Sequence, residues 1–148
     1  MSGIQKMLIS MAVLVSFGLN AYALEKSTGK AAASENRIQW VHDFAEGLAI
    51  AKKTKKPIMV DFYADWCGWC RKLDTGPYRN ARVIELANSF VCVKINTDVD
   101  ARTPSRYGVR GLPTIVFLDA TGGLLTTVVG YRDADFFAQT LAKIKNKN

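Results

Sequence analysis

Histidine is nearly missing from this chain: His42 is the only one in 148 residues. One imidazole cannot build a metal centre by itself, and structural zinc needs four ligands. Cysteine is scarce too, with three residues, too few for a disulfide-stapled scaffold and odd in number. The hydrophobic run at residues 7–19, "MLISMAVLVSFGL", stops short of the ~20 residues a membrane-spanning helix requires. Internal repeats and low-complexity tracts are absent, which removes solenoids and fibrous classes. The basic residues are not interleaved with aromatics, so a nucleic-acid partner has no support.

What is present suffices for one ordinary domain. Hydrophobic residues make up 49% of the chain and aromatics 10%, enough for a core without staples. At the N-terminus, Lys6 precedes the apolar run, and "NAYALEKS" follows with Ala21 and Ala23 in an A-x-A arrangement. That is the shape of a secretory signal peptide, with cleavage expected after Ala23. An uncleaved anchor is the alternative; without a cysteine at the cleavage point, lipid modification is not expected. The division is therefore a signal peptide at 1–23, a small, polar, flexible leader at 24–36 and a folded domain at 37–148. Export leads to a compartment that permits disulfides, and the bacterial character of the signal makes the periplasm the expected home. The net charge of +7 falls by one when Lys6 is removed. Much of the surplus is "KKTKK" at 52–56, which reads as a hydrated helix end complementing the macrodipole, with a docking patch for an acidic partner as the alternative.

Hydrophobic periodicity predicts a short strand at 37–41, then a helix on "HDFAEGLAIAKK" with Phe44, Leu48 and Ala51 at helical spacing. Asp43 and Glu46 resemble a capping box, and His42 just before them reads as a surface residue. "PIMVDFYA" at 57–64 reads as a buried strand. A helix begins at the cysteine pair and is broken by "TGP" at 75–77, with a second helical piece at about 81–89. The strand "FVCVKIN", a polar loop and the turn-like "RYGVRGLPT" come next, then the strand "TIVFLD", an "ATGG" hairpin turn and the strand "LLTTVVG". An amphipathic helix after Asp133, with Phe137, Leu141 and Ile144 on one face, closes the chain. The order is α/β, with a mixed central sheet flanked by helices.

The stretch "VDFYADWCGWCRKLD" at 60–74 carries the chemistry. A zinc knuckle, a permanent disulfide and a redox-active dithiol all begin with such a pair. Cys67 falls at a strand-to-helix junction, where unpaired N–H groups and the positive helix end favour a thiolate. Cys70 lies one turn on, close enough to close a disulfide and more enclosed. Cys67 is therefore read as the attacking thiol and Cys70 as the resolving one. Asp61, on the preceding strand, is an acid in an apolar run, where burial raises its pKa. That suits it to take and return the Cys70 proton through a water; an acid at the strand's solvent edge is the alternative. Cys92 alternates with Val91 and Val93 and reads as a buried, inert thiol.

"VDFYADWCGWCRKL" and "GVRGLPTIVFLD" together resemble the thioredoxin superfamily over about 57–145. The leading segment "IQWVHDFAEGLAIAKKTKKPIMVDF" is similar to exported thioredoxin-like proteins related to the C-terminal domain of the periplasmic thiol:disulfide interchange protein. The resemblance implies a thioredoxin fold in which Pro113 is cis and faces the cysteines, with Gly111, Leu112 and Thr114 around it and neighbouring backbone free to pair with an incoming chain. It places Lys94, in "KINTD", near the buried acid and gives Gly130 a part in shaping the groove. Trp66, Gly68 and Trp69 join Leu112, Pro113 and Thr114 as expected substrate contacts. The Gly68-Trp69 dipeptide departs from the family's Gly-Pro, and Pro77 comes later than the family's helix proline. Potentials on this fold span roughly 150 mV, so direction does not follow from the fold.

The expected function is an exported thiol–disulfide oxidoreductase acting on protein disulfides, with reduction preferred and no cofactor or metal. A membrane thiol–disulfide carrier would restore the dithiol, and a monomer is expected. An oxidase or isomerase, a metal-binding module using Cys67 and Cys70, and a binding protein with a permanent disulfide are the alternatives.

Overall fold

The computed structural model describes residues 36–147. The signal-peptide reading, the cleavage after Ala23 and nearly all of the leader fall outside the described residues. The elements run β1 (Trp40–Val41), α1 (Phe44–Thr54), β2 (Ile58–Tyr63), α2 (Gly68–Thr75), a 3-10 turn (Pro77–Arg79), α3 (Ala81–Ala87), β3 (Val91–Asn96), α4 (Arg102–Arg106), β4 (Thr114–Leu118), β5 (Leu124–Val129) and α5 (Ala134–Lys145).

The strands form one mixed five-stranded sheet in the order β1-β3-β2-β4-β5. β1 and β2 both run parallel to β3, whereas β4 is antiparallel to β2 and to β5. Because side chains alternate along a strand, β2 divides its residues between two layers. Ile58, Val60 and Phe62 join Val93, Ile95, Val116 and Ala51 of α1 in one cluster. Met59 instead joins Cys92, Ile115 and Phe117 under Leu73, Val83, Phe137 and Leu141, so α2, α3 and α5 cover the opposite face. The same parity carries Asp61 and Lys94 to the α2 side, where they are register partners.

Local chemistry sets the helix ends. The Asp43 carboxylate accepts from Glu46 N at 2.7 Å, and that of Asp133 accepts from Phe136 N at 2.9 Å, each capping a helix start. Lys55 ends α1 in the left-handed region at φ 57°. α1 packs on β3 through Gly47, where a Cβ would stand 2.4 Å from Val93 Cγ2.

Two elements differ from the sequence expectation. The first strand is confined to Trp40–Val41, which alone pair with β3, and Ile38 ahead of it is buried in the core. A helix, α4, occupies part of the expected polar loop. Asp100 makes it possible: its Oδ1 accepts from Arg102 N and Thr103 N at 2.9 and 3.0 Å. Pro104 falls in the first turn, where its missing N–H breaks no intrahelical bond. Among the described residues, no helix is long and apolar enough to cross a membrane.

Candidate active site

β2 ends at Tyr63, and the chain turns through Ala64, whose carbonyl accepts from Cys67 N at 3.0 Å. Cys67 then stands at the N-cap of α2, and its Sγ accepts a hydrogen bond from Cys70 N at 3.2 Å. The sulfur thus takes the capping place usually held by a Ser or Asp oxygen. Cys67 and Cys70 are joined in a disulfide with the Cα atoms 5.3 Å apart. Cys67 is 5% exposed and Cys70 1%, so both are enclosed, the second more so.

Leu112 packs against the pair together with Ala64 and Tyr63. The Leu112–Pro113 peptide bond is cis. Thr114 is buried, and its hydroxyl donates to Gly111 O at 2.7 Å, which ties down the loop that carries Leu112 and Pro113. Gly130 N donates to Pro113 O at 2.8 Å, and the φ of +80° at Gly130 strongly favours glycine there. Trp66 stands at the rim, 69% exposed, with its indole N–H donating to Asp98 Oδ2 at 3.0 Å. A groove of about 390 Å³ runs from Trp66 past Val109 and Arg110 to Leu112. Gly68 and Trp69, both exposed, complete the tip of α2.

Asp61 lies under this surface with no exposed area. Lys94 Nζ is 3.1 Å from its Oδ2 and also pairs with Asp74 of α2, four residues beyond Cys70. The Trp40, Tyr63 and Tyr78 rings surround the ammonium at 5.0 to 5.4 Å from their centroids. Burial pushes the Asp61 pKa up to about 6; the Lys94 ammonium opposes that rise without cancelling it. Burial likewise works against the Lys94 charge, but Asp61 and Asp74 together outweigh it and leave its pKa raised. A carboxylate held near 6 changes charge just below neutral pH.

Cys92 is buried on β3, its thiol pushed up to about 12 by burial, and its Sγ donates to Ala87 O at 3.7 Å. A thiol so disfavoured as an anion is a poor nucleophile. His42 is exposed at the start of α1. Among the described residues, no three His, Cys, Asp or Glu side chains come together as a metal site.

Sequence reasoning did not single out Asp74, Tyr78, Lys72 or Tyr131. Asp74 carried a usable signal, because i and i+4 share a helix face and Cys70 is on the buried one. Tyr131 had none, since only the tertiary fold brings it to α2.

A disulfide at a helix tip, on a mixed sheet with an acid and a lysine buried behind it, defines a thiol–disulfide oxidoreductase of thioredoxin fold. The sequence pattern of the family described as Thioredoxin matches residues 41–143. The chain belongs to the thioredoxin family. It is 33% identical over 116 residues to the thiol:disulfide interchange protein DsbD of Vibrio vulnificus, covering 74% of this chain and 20% of that one. It thus spans about a fifth of the length of the interchange proteins it matches. A chloroplastic M-type thioredoxin of Pisum sativum is 39% identical over 83 residues, covering 55% of this chain and 46% of that one. Among solved structures, a thioredoxin from Thermus thermophilus aligns with a TM-score of 0.66 and 26% identity, covering 73% of this chain and 87% of that one. A thioredoxin from Nicotiana alata gives 0.59 and 28%, covering 73% and 92%.

Proposed function

We propose that this chain is an exported, periplasmic, monomeric oxidoreductase that reduces disulfides in protein substrates. The observation that carries the reading is Cys67 at the N-cap of α2, its sulfur already hydrogen-bonded to Cys70 N. In the dithiol form the same N–H and the helix end favour a Cys67 thiolate. That thiolate attacks one sulfur of the substrate disulfide, and the other leaves as a thiol after taking a proton. Cys70 then loses its proton, through a water, to Asp61 and attacks Cys67 Sγ. The second substrate thiol departs and the Cys67–Cys70 disulfide remains. Two electrons have passed to the substrate, so a two-electron donor must restore the dithiol. A membrane thiol–disulfide carrier fits that need in a compartment where free thiols do not persist unaided. The leading residues, with Lys6, the apolar run and Ala21-x-Ala23, support export with cleavage after Ala23.

The substrate chain would lie across Trp66, Gly68 and Trp69 on one side and Leu112 and Pro113 on the other, with Thr114 holding the second wall in place. The test is insulin reduction by the dithiothreitol-recycled protein, followed by trapping with Cys70→Ser, which stalls at the mixed disulfide. Reduction by the parent and no trapping by Cys67→Ser are expected. A redox titration as oxidising as that of dedicated disulfide-forming enzymes would reverse the assigned direction, and reactivation of scrambled ribonuclease would make it an isomerase.

A further inference from the structure

Trp69 stands between the two cysteines, where burial does not hold it: 56% of the residue is exposed. A large indole at a helix tip normally samples several rotamers. Here two neighbours fix it. Tyr131, from the loop between β5 and α5, meets it with ring centroids 5.6 Å apart and planes tilted by 41°. Lys72, one helical turn along α2, places its ammonium 4.8 Å from the Trp69 centroid and 5.0 Å from that of Tyr131. Tyr131 is itself anchored, half-buried against the core under α2, α3 and α5. The cluster therefore joins a loop residue packed on the core, through a shared cation, to the one side chain inserted between the sulfurs' residues.

We propose that Tyr131 and Lys72 are positioning residues that hold Trp69 as the substrate-selecting wall of the site, favouring protein disulfides flanked by an apolar side chain. This rests on the exchange activity proposed above. A partner's aliphatic or aromatic side chain, next to its own cysteine, gains area on an indole that is already ordered and loses little entropy in doing so. A small aliphatic disulfide has no such side chain and passes the wall without using it. Trp66, held separately by its hydrogen bond to Asp98, does not depend on this cluster.

The test compares kcat/KM for insulin with that for bis(2-hydroxyethyl) disulfide, using full-length protein recycled by dithiothreitol, in Tyr131→Ala, Lys72→Met and Trp69→Ala. Each variant is expected to lower the insulin-to-small-disulfide ratio by about five- to tenfold, as expected for losing an aromatic or cation contact of this kind. The loss should appear in KM more than in kcat. Tyr131→Phe and Lys72→Arg should restore the ratio, because they keep the ring and the cation. An equal loss with both substrates overturns the inference, since the cluster would then act on the sulfurs and not on docking. An unchanged ratio, or a loss not rescued by Tyr131→Phe and Lys72→Arg, overturns it as well. A parent protein that reduces neither substrate overturns the activity reading and this inference with it.

Discussion

The two faces of the sheet are built from alternate residues of the same strands, yet they differ in kind. Toward α1, β2 and β3 present Ile58, Val60, Phe62, Val91, Val93 and Ile95, all apolar and buried. Toward α2 they present Met59 and Cys92 along with Asp61 and Lys94. A face that only holds the fold together can be a continuous apolar surface. Keeping a carboxylate and an ammonium in the interior works against stability unless they are paired. The buried charges are therefore concentrated behind α2, the helix that carries the cysteines, and the other face is apolar throughout these strands.

The sharpest way to break this contrast is Lys94→Met, which leaves Asp61 buried without its counter-ion. A loss of about 3–5 kcal/mol is expected at pH 8, where Asp61 of the parent is ionised and that of the variant must hold its charge unpaired or take up a proton. Most of that loss should vanish at pH 4.5, below the folded pKa of about 6. Urea unfolding at the two pH values reads the difference. Asp61→Asn should act in the opposite direction. With the pKa of Asp61 raised from 3.8 to about 6, the folded state holds the proton more tightly, so parent stability falls as pH rises between those values. The substitution should add up to about 3 kcal/mol at pH 8 and almost nothing at pH 3.5, flattening the stability profile. It should also slow release of substrate from the mixed disulfide, which quenched-flow trapping detects.

On the apolar face, Gly47→Ala drives a methyl against Val93 and should destabilise by about 1–3 kcal/mol. Its effect should be the same at pH 5 and pH 8, with no change in the exchange rate beyond that from unfolding. Gly130→Ala is the mildest case, at about 1 kcal/mol for a side chain at positive φ. Thermal melts resolve both. A pH-dependent loss in Gly47→Ala would contradict the division between the faces.

Much of this was legible in the order of residues. The runs around Val60, Val93 and Val116 alternate or stay apolar as strands do, and Asp43 and Asp133 mark helix starts by their own hydrogen bonds. Asp61 stands out as an acid in an apolar strand, and the Cys67 and Cys70 spacing fits one helical turn. What could not be read depends on contacts distant in sequence. The strand expected at 37–41 is shorter because β3 offers ladder partners only to Trp40 and Val41. α4 was hidden because Pro104 and the nearby glycines resemble a loop, whereas the Asp100 cap that holds it is a local detail easily taken for a turn. Asp74 falls on the Cys70 face of its helix by spacing alone, but its ion pair exists only once β3 brings Lys94 beneath it. The Tyr131 ring meets Trp69 and Lys72 only through the tertiary fold.

The β4–β5 ladder is extended by one further backbone contact beside the disulfide. Gly130 N reaches Pro113 O, and the residues next in line are Tyr131 on one strand end and Leu112 on the other. The loop that leans on Trp69 and the loop that leans on the disulfide are thus joined at one end of the β4–β5 ladder. A shift of either loop is passed to the other, and a substrate chain bound as proposed above would meet a cleft of set width.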